Sequence, residues 1–194
     1  MKLKTLFSTM MLAVIFFSTS ANFAQQGDQA EMMKKWQEYM TPGPIHQSFA
    51  KMTGNWNAVV TMFDPSGKES KSDGTANFEM ILGGRYMKST YKGSMMGMPM
   101  EGMGLDAYDN AAKEYNSIWI DNFGTGIMHL KGKMDEKTGE IIFVGTMVDP
   151  MTGKDATTKN VVKQIDNDHQ RMVMYMVDGG KEIKNMQIDY TRAK

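Results

Sequence analysis

Six residues in one stretch are of the types that bind or transform small molecules: Arg85, Tyr91, Asp106, Tyr108, Trp119 and Asp121. A guanidinium can fork onto a ligand carboxylate or phosphate. Phenols and an indole carry one polar atom on a large apolar ring, and positioned carboxylates can move protons. In extended chain, alternate residues share a side. Arg85, Met87, Ser89 and Tyr91 then fall together, as do Asp106 with Tyr108, and Tyr115, Ser117, Trp119 with Asp121. If those sides face inward on neighbouring strands, they meet in an apolar cavity with a few placed polar groups, the usual form of a small-molecule site. The competing reading is an internal brace, in which Arg85 pairs with Asp106 or Asp121 and no ligand is involved.

The same stretch holds Met95, Met96, Met98 and Met100 around Gly97 and Pro99. Thioethers at such spacing can take Cu(I) in an exported protein. Methionine is also a flexible apolar filler, and 23 of them run through the whole chain, so we expect a long turn or portal loop over a cavity rather than a metal centre. No metal site and no cofactor is expected. His46, His129 and His169 are scattered, and the chain has no nucleophile elbow, no His-Glu-x-x-His, no phosphate loop and no cysteine. An enzyme of isomerase or hydrolase type would have to rely on Asp and Tyr. Asp109, beside Asn110, sits where a turn uses Asp for backbone hydrogen bonds alone.

The elements that must position these residues are mostly strands. Apolar Met32, Met33, Trp36, Tyr39 and Met40 recur at helical spacing before Thr41-Pro42-Gly43-Pro44 stops the helix. A second helical turn carries Ile45, Phe49 and Met52. Beyond Gly54 the chain alternates, punctuated by turn residues such as Asp64-Pro65-Ser66-Gly67, Glu136-Lys137-Thr138-Gly139 and Asp178-Gly179-Gly180. Strands are predicted near 55–63, 72–81, 85–94, 101–109, 114–121, 126–134, 140–149, 155–165, 170–177 and 181–192. Nine or ten strands on hairpin-length links predict an all-β, up-and-down antiparallel barrel, since closure removes exposed edges. A filled barrel acting as an interaction or structural module, and a two-sheet sandwich, are the alternatives.

Residues 1–24 have a basic start, an apolar run from Leu6 to Phe17 and an Ala-x-x-Ala exit, which predicts a secretory signal peptide. We expect a helical segment over 25–53, a barrel over 54–194, an exported location and no membrane anchor after cleavage. Acidic and basic residues number 22 each, and loss of Lys2 and Lys4 would leave a net charge near −2. No basic stripe for nucleic acid results. A homodimer is compatible with the sequence. With no Cys, stability has to come from packing and strand pairing.

Gly54-x-Trp56 at the first strand and Arg192 at the last resemble the calycin pattern of lipocalins and their relatives, in which a basic residue lies over the Trp ring and joins the closing strands. His46-x-x-Phe49-x-x-Met52-x-Gly54-x-Trp56, Leu82-Gly83-Gly84-Arg85-Tyr86, Met96 to Gly102, Tyr108-Asp109-Asn110, Trp119-Ile120-Asp121 and Tyr190-Thr191-Arg192 resemble a bacterial family, domain of unknown function 1579. Ala107 departs from the Gly usual there. The resemblance implies a lipocalin-like barrel and brings no activity with it. A haem-binding calycin of the nitrobindin type would place an axial His inside. Only His129 lies mid-strand, and it shares parity with Lys131 and Lys133 and so faces water. The reading that results is an exported barrel that binds or carries a small apolar or amphipathic molecule.

Overall fold

The structure is a computed structural model that describes residues 27–194; the expected leader lies outside the described residues. Residues 27–40 form helix α1, on which Lys35 and Glu31 pair at 2.7 Å across one turn. Its apolar residues Met33 and Trp36 are exposed. Among the described residues no helix is long and apolar enough to cross a membrane. From Pro42 onward the chain is one compact unit, so the second turn of the expected helical segment belongs with the barrel.

That turn is α2 (Pro44–Lys51), and ten strands follow: β1 (Gly54–Phe63), β2 (Glu69–Ile81), β3 (Tyr86–Met95), β4 (Met98–Asp109), β5 (Glu114–Asp121), β6 (Met128–Asp135), β7 (Glu140–Val148), β8 (Asp155–Gln164), β9 (His169–Asp178) and β10 (Lys181–Arg192). Every strand pairs antiparallel with its sequence neighbours, and β10 returns to β1 to close the barrel. The closing register sets Trp56 opposite Arg192 and Met62 opposite Met186. Closure leaves no free edge, so every backbone ladder is satisfied without disulfides. The sandwich alternative is thereby replaced by a barrel.

Alternation sorts the strands as their residue types require. On β1, Trp56, Ala58 and Val60 are buried while Asn55, Asn57 and Val59 are exposed. The inward set packs into one core with Phe49 of α2, Phe78, Met87, Tyr91, Tyr115, Leu130, Phe143 and Ile188. An extra residue in β10 between Lys184 and Met186 shifts the register. It brings Met186, Ile188 and Tyr190 to the inner face, where all three line the interior.

The methionine-rich segment is not a long loop. Met95 pairs with Met98, and only Met96 and Gly97 turn between β3 and β4, at φ of 53° and 78°. Two positive φ values in a two-residue link are the signature of a type I′ turn, whose twist matches that of the strands it joins. Glycine takes this conformation at no steric cost; Met96 adopts it at 85% exposure, with its side chain in solvent. Asn122 then extends the ladder past β5, donating from Nδ2 to the Pro99 carbonyl at 3.2 Å and accepting the Glu101 N–H at 2.9 Å. This covers the segment that the proline leaves short of a donor.

Candidate ligand-binding site

One end of the barrel is closed by α2. His46 is buried, accepts the Gly43 N–H on Nδ1 at 3.0 Å and meets Tyr108 edge-on at 6.2 Å. Burial lowers its pKa against a hydrogen bond to the Tyr108 backbone, and the charge of Arg85 adds to the lowering. Phe49 packs edge-on against Tyr115. The Arg192 guanidinium lies 4.3 Å from the Trp56 ring and donates to the carbonyls of Thr53 at 2.7 Å, Lys51 at 2.8 Å and Asn167 at 2.8 Å. It also reaches Asp168 Oδ1 at 3.1 Å. Trp56 Nε1 donates to the Met52 carbonyl at 2.9 Å. Gly54 sits at φ +121°, and a Cβ there would stand 3.2 Å from Arg192. These contacts tie the end of α2, the first strand and the last strand into one closure.

Between this closure and the β3–β4 hairpin lies a cavity of about 810 Å³. Its wall is mostly apolar, with Val60, Met87, Met128, Ile141, Met172 and Met186 among the side chains that meet it. The barrel is therefore not filled, and the interaction module with a solid interior is set aside.

Three of the six candidates face this space. Tyr91 is 5% exposed and lies across Gly74 and Gly93, where any Cβ would run into its ring. Trp119 lies in the same way across Gly102 and beside Gly104. The strand glycines are thus room for two aromatic rings rather than hinges. Asp106 points inward between Met87 of β3 and Ser117 of β5. Burial raises its pKa from 3.8 to about 6, opposed by a hydrogen bond from Ser117. It is only half-buried by area because its free side opens on the cavity.

The other three lie elsewhere. Arg85 follows the β2–β3 turn, exposed, with Nη1 donating to the Leu82 carbonyl at 3.2 Å; it stands outside β3, where strand parity no longer aims a side chain. It therefore does not line the cavity and does not brace Asp106 there. Tyr108 is taken up between His46 and Tyr115, whose ring centroid is 4.9 Å away. Asp121 accepts Trp119 Nε1 at 2.7 Å and the Phe123 N–H at 2.9 Å, which orients the indole. Asp109 binds the Ala111 and Ala112 N–H groups in its turn. Neither Asp109 nor Asp121 therefore stands beside Asp106 as a second carboxyl for acid–base work in the cavity. Of the four methionines of this hairpin, Met95 and Met100 line the cavity, Met96 stands exposed at its mouth, and Met98 does not line it. His129 is exposed and near Asn116 Oδ1 at 3.2 Å, and no histidine lines the cavity among the described residues.

Sequence reasoning passed over Asn160, Gln170 and Tyr190. Asn160 and Gln170 are 8% and 4% exposed, and both meet the cavity. Asn160 Oδ1, Gln170 Nε2 and Tyr91 Oη have no hydrogen-bond partner. Tyr190 has its pKa raised by burial first, then by the charges of Tyr91 and Asp106. Parity was the available signal: Gln170 precedes Met172 and Met174 on the inner face of β9, and Asn160 precedes Val162 on β8. A polar residue in an inward position is the informative exception in a barrel wall.

The barrel has counterparts among solved structures. An S-type phycobiliprotein lyase, CPES from Guillardia theta, superposes with a TM-score of 0.55 at 9% identity, over 81% of this chain and 96% of that one. Rv2717c from M. tuberculosis superposes with a TM-score of 0.58 at 14% identity, over 79% of this chain and 100% of that one. At such identities the likeness is one of fold: a lipocalin-like, calycin-type barrel. No curated protein matches the chain. The family profile of DUF1579, described as a protein of unknown function, matches residues 41–192, from the start of the barrel unit to the arginine that closes it. The chain belongs to that family.

Proposed function

We propose that the barrel binds a small apolar or amphipathic molecule in its cavity and acts as an exported carrier. The observation that supports this is the cavity itself: about 810 Å³, mainly apolar and set with a few convergent polar groups. Ligand pockets span roughly 300–1,000 Å³ and have this make-up. Export rests on the leader-like residues 1–24.

Native mass spectrometry of protein purified from the exported fraction tests the proposal. We expect an added mass of lipid-like size that is lost on mild activation. Met174→Trp, which fills the cavity from β9, should fold and lose that mass. Protein that carries no adduct and takes up no apolar probe, with wild type and Met174→Trp indistinguishable, would refute ligand binding. A chain retained in the cytoplasm when expressed from residue 1 would refute export.

A further inference from the structure

Among the described residues, five charged side chains meet the cavity: Lys51, Lys71, Asp106, Asp166 and Arg171. Four of them are exposed near its ends. Lys71 and Arg171 are paired to Glu69 and Asp189, and Asp166 to His169. Asp106 alone lies deep in the wall. The side chains that flank it across the ladder are Met87 from β3 and Ser117 from β5, and Tyr190 of β10 lies within range of its charge. None of these is a cation. Along β4 the Trp119 ring lies over Gly102 and its edge reaches Gly104, two residues from Asp106 in the same wall.

A ligand that reaches this part of the wall meets the carboxylate of Asp106, whose oxygens accept the Ser117 hydroxyl and keep further lone pairs. A fatty-acid carboxylate would bring a second negative charge and more acceptors into a low-dielectric space, which is unfavourable. A protonated amine brings donors only, neutralises the carboxylate, and gains from the ring of Tyr190, which lies within range of the same charge. Resting on the ligand-binding reading above, we propose that the cavity is selective for cationic amphiphiles, with the amine head held at Asp106 against the aromatic wall and the apolar tail among the methionines.

The test is a head-group series on one tail length, titrated calorimetrically at neutral pH: decylamine, decanol and decanoate. Decylamine should bind at least about ten-fold more tightly than decanol, and decanol more tightly than decanoate. Asp106→Asn keeps the side-chain shape and removes the charge. It should bring decylamine down to the affinity of decanol while leaving decanol unchanged. The wild-type series stands by itself if that variant folds poorly, and Ser117→Ala, which removes the carboxyl's hydrogen bond without its charge, should keep the amine preference. Decanoate equal to or tighter than decylamine would overturn the selectivity and leave ligand binding intact. So would an amine advantage that survives Asp106→Asn. Binding of none of the three would overturn both readings.

Discussion

Two layers of the barrel interior use similar side chains in opposite ways. At the α2 end, Arg192, Trp56, His46 and Tyr108 contact one another or nearby carbonyls, and Arg192 alone donates to three backbone carbonyls besides reaching Asp168. Further in, Tyr91 Oη, Asn160 Oδ1 and Gln170 Nε2 have no partner, and Asp106 has one hydroxyl. A polar group that closes a fold is worth most when fully bonded, whereas a buried one without a partner costs stability. The closed end is thus where the stability of the barrel is concentrated, and the cavity is where stability has been given up.

Substitutions should separate the two regions. The largest effect is expected from Arg192→Ala, which removes the cation–π contact and leaves three carbonyls without their donor. We expect a loss of about 3–5 kcal/mol in denaturant unfolding, with no change in ligand preference for whatever fraction folds. A loss below about 1 kcal/mol would mean that the closure does not depend on this residue.

Asp106→Asn should act in the other direction. The folded pKa of about 6 lies above the ordinary 3.8, so the folded chain holds this proton more tightly than the unfolded one. The resulting stabilisation is fully present below 3.8 and is lost as the pH rises through about 6. Its size is at most roughly 3 kcal/mol, reduced by screening from water in the cavity. Unliganded wild type should therefore lose stability between those pH values relative to Asp106→Asn, and the variant should be the more stable at neutral pH. Parallel pH–stability curves for the two proteins would show that Asp106 is not desolvated in the fold.

Tyr91→Phe should have the smallest effect on the fold, because the hydroxyl it removes is buried and unpartnered. Stability should stay within about 1 kcal/mol of wild type or rise slightly. Asp121→Asn lies between: it weakens the anchor of Trp119, for which we expect a loss of about 1 kcal/mol and a shift in indole fluorescence. If Tyr91→Phe cost more than Asp121→Asn, the division between bonded and unbonded polar groups would fail.

Much of this was legible before any coordinates. Strand alternation placed Trp56, Ala58 and Val60 inside, and the inward methionines of β9 follow the same rule because a pleated strand has a period of two. The turn residues located the hairpins to within a few positions. The pairing of Gly54 and Trp56 with Arg192 came from residue types at the two ends of a closing sheet. The same parity rule failed for Arg85 because it was carried one residue beyond β3, into a turn where the backbone no longer alternates. The portal-loop reading failed because a two-residue turn replaced the expected loop, which puts Met98 in β4, paired with Met95.

By itself, the sequence determined that there would be a meander of about ten strands, which residues each strand would turn to the same side, and that no disulfide would hold it. Those are local matters of spacing and covalent chemistry. Only the tertiary structure decided that closing the barrel leaves a cavity and that Asp106 stands in its wall between Met87 and Ser117 rather than beside a cation. Both depend on how far apart opposite walls come to rest, and that distance is set by strand number, stagger and the sizes of all inward side chains together.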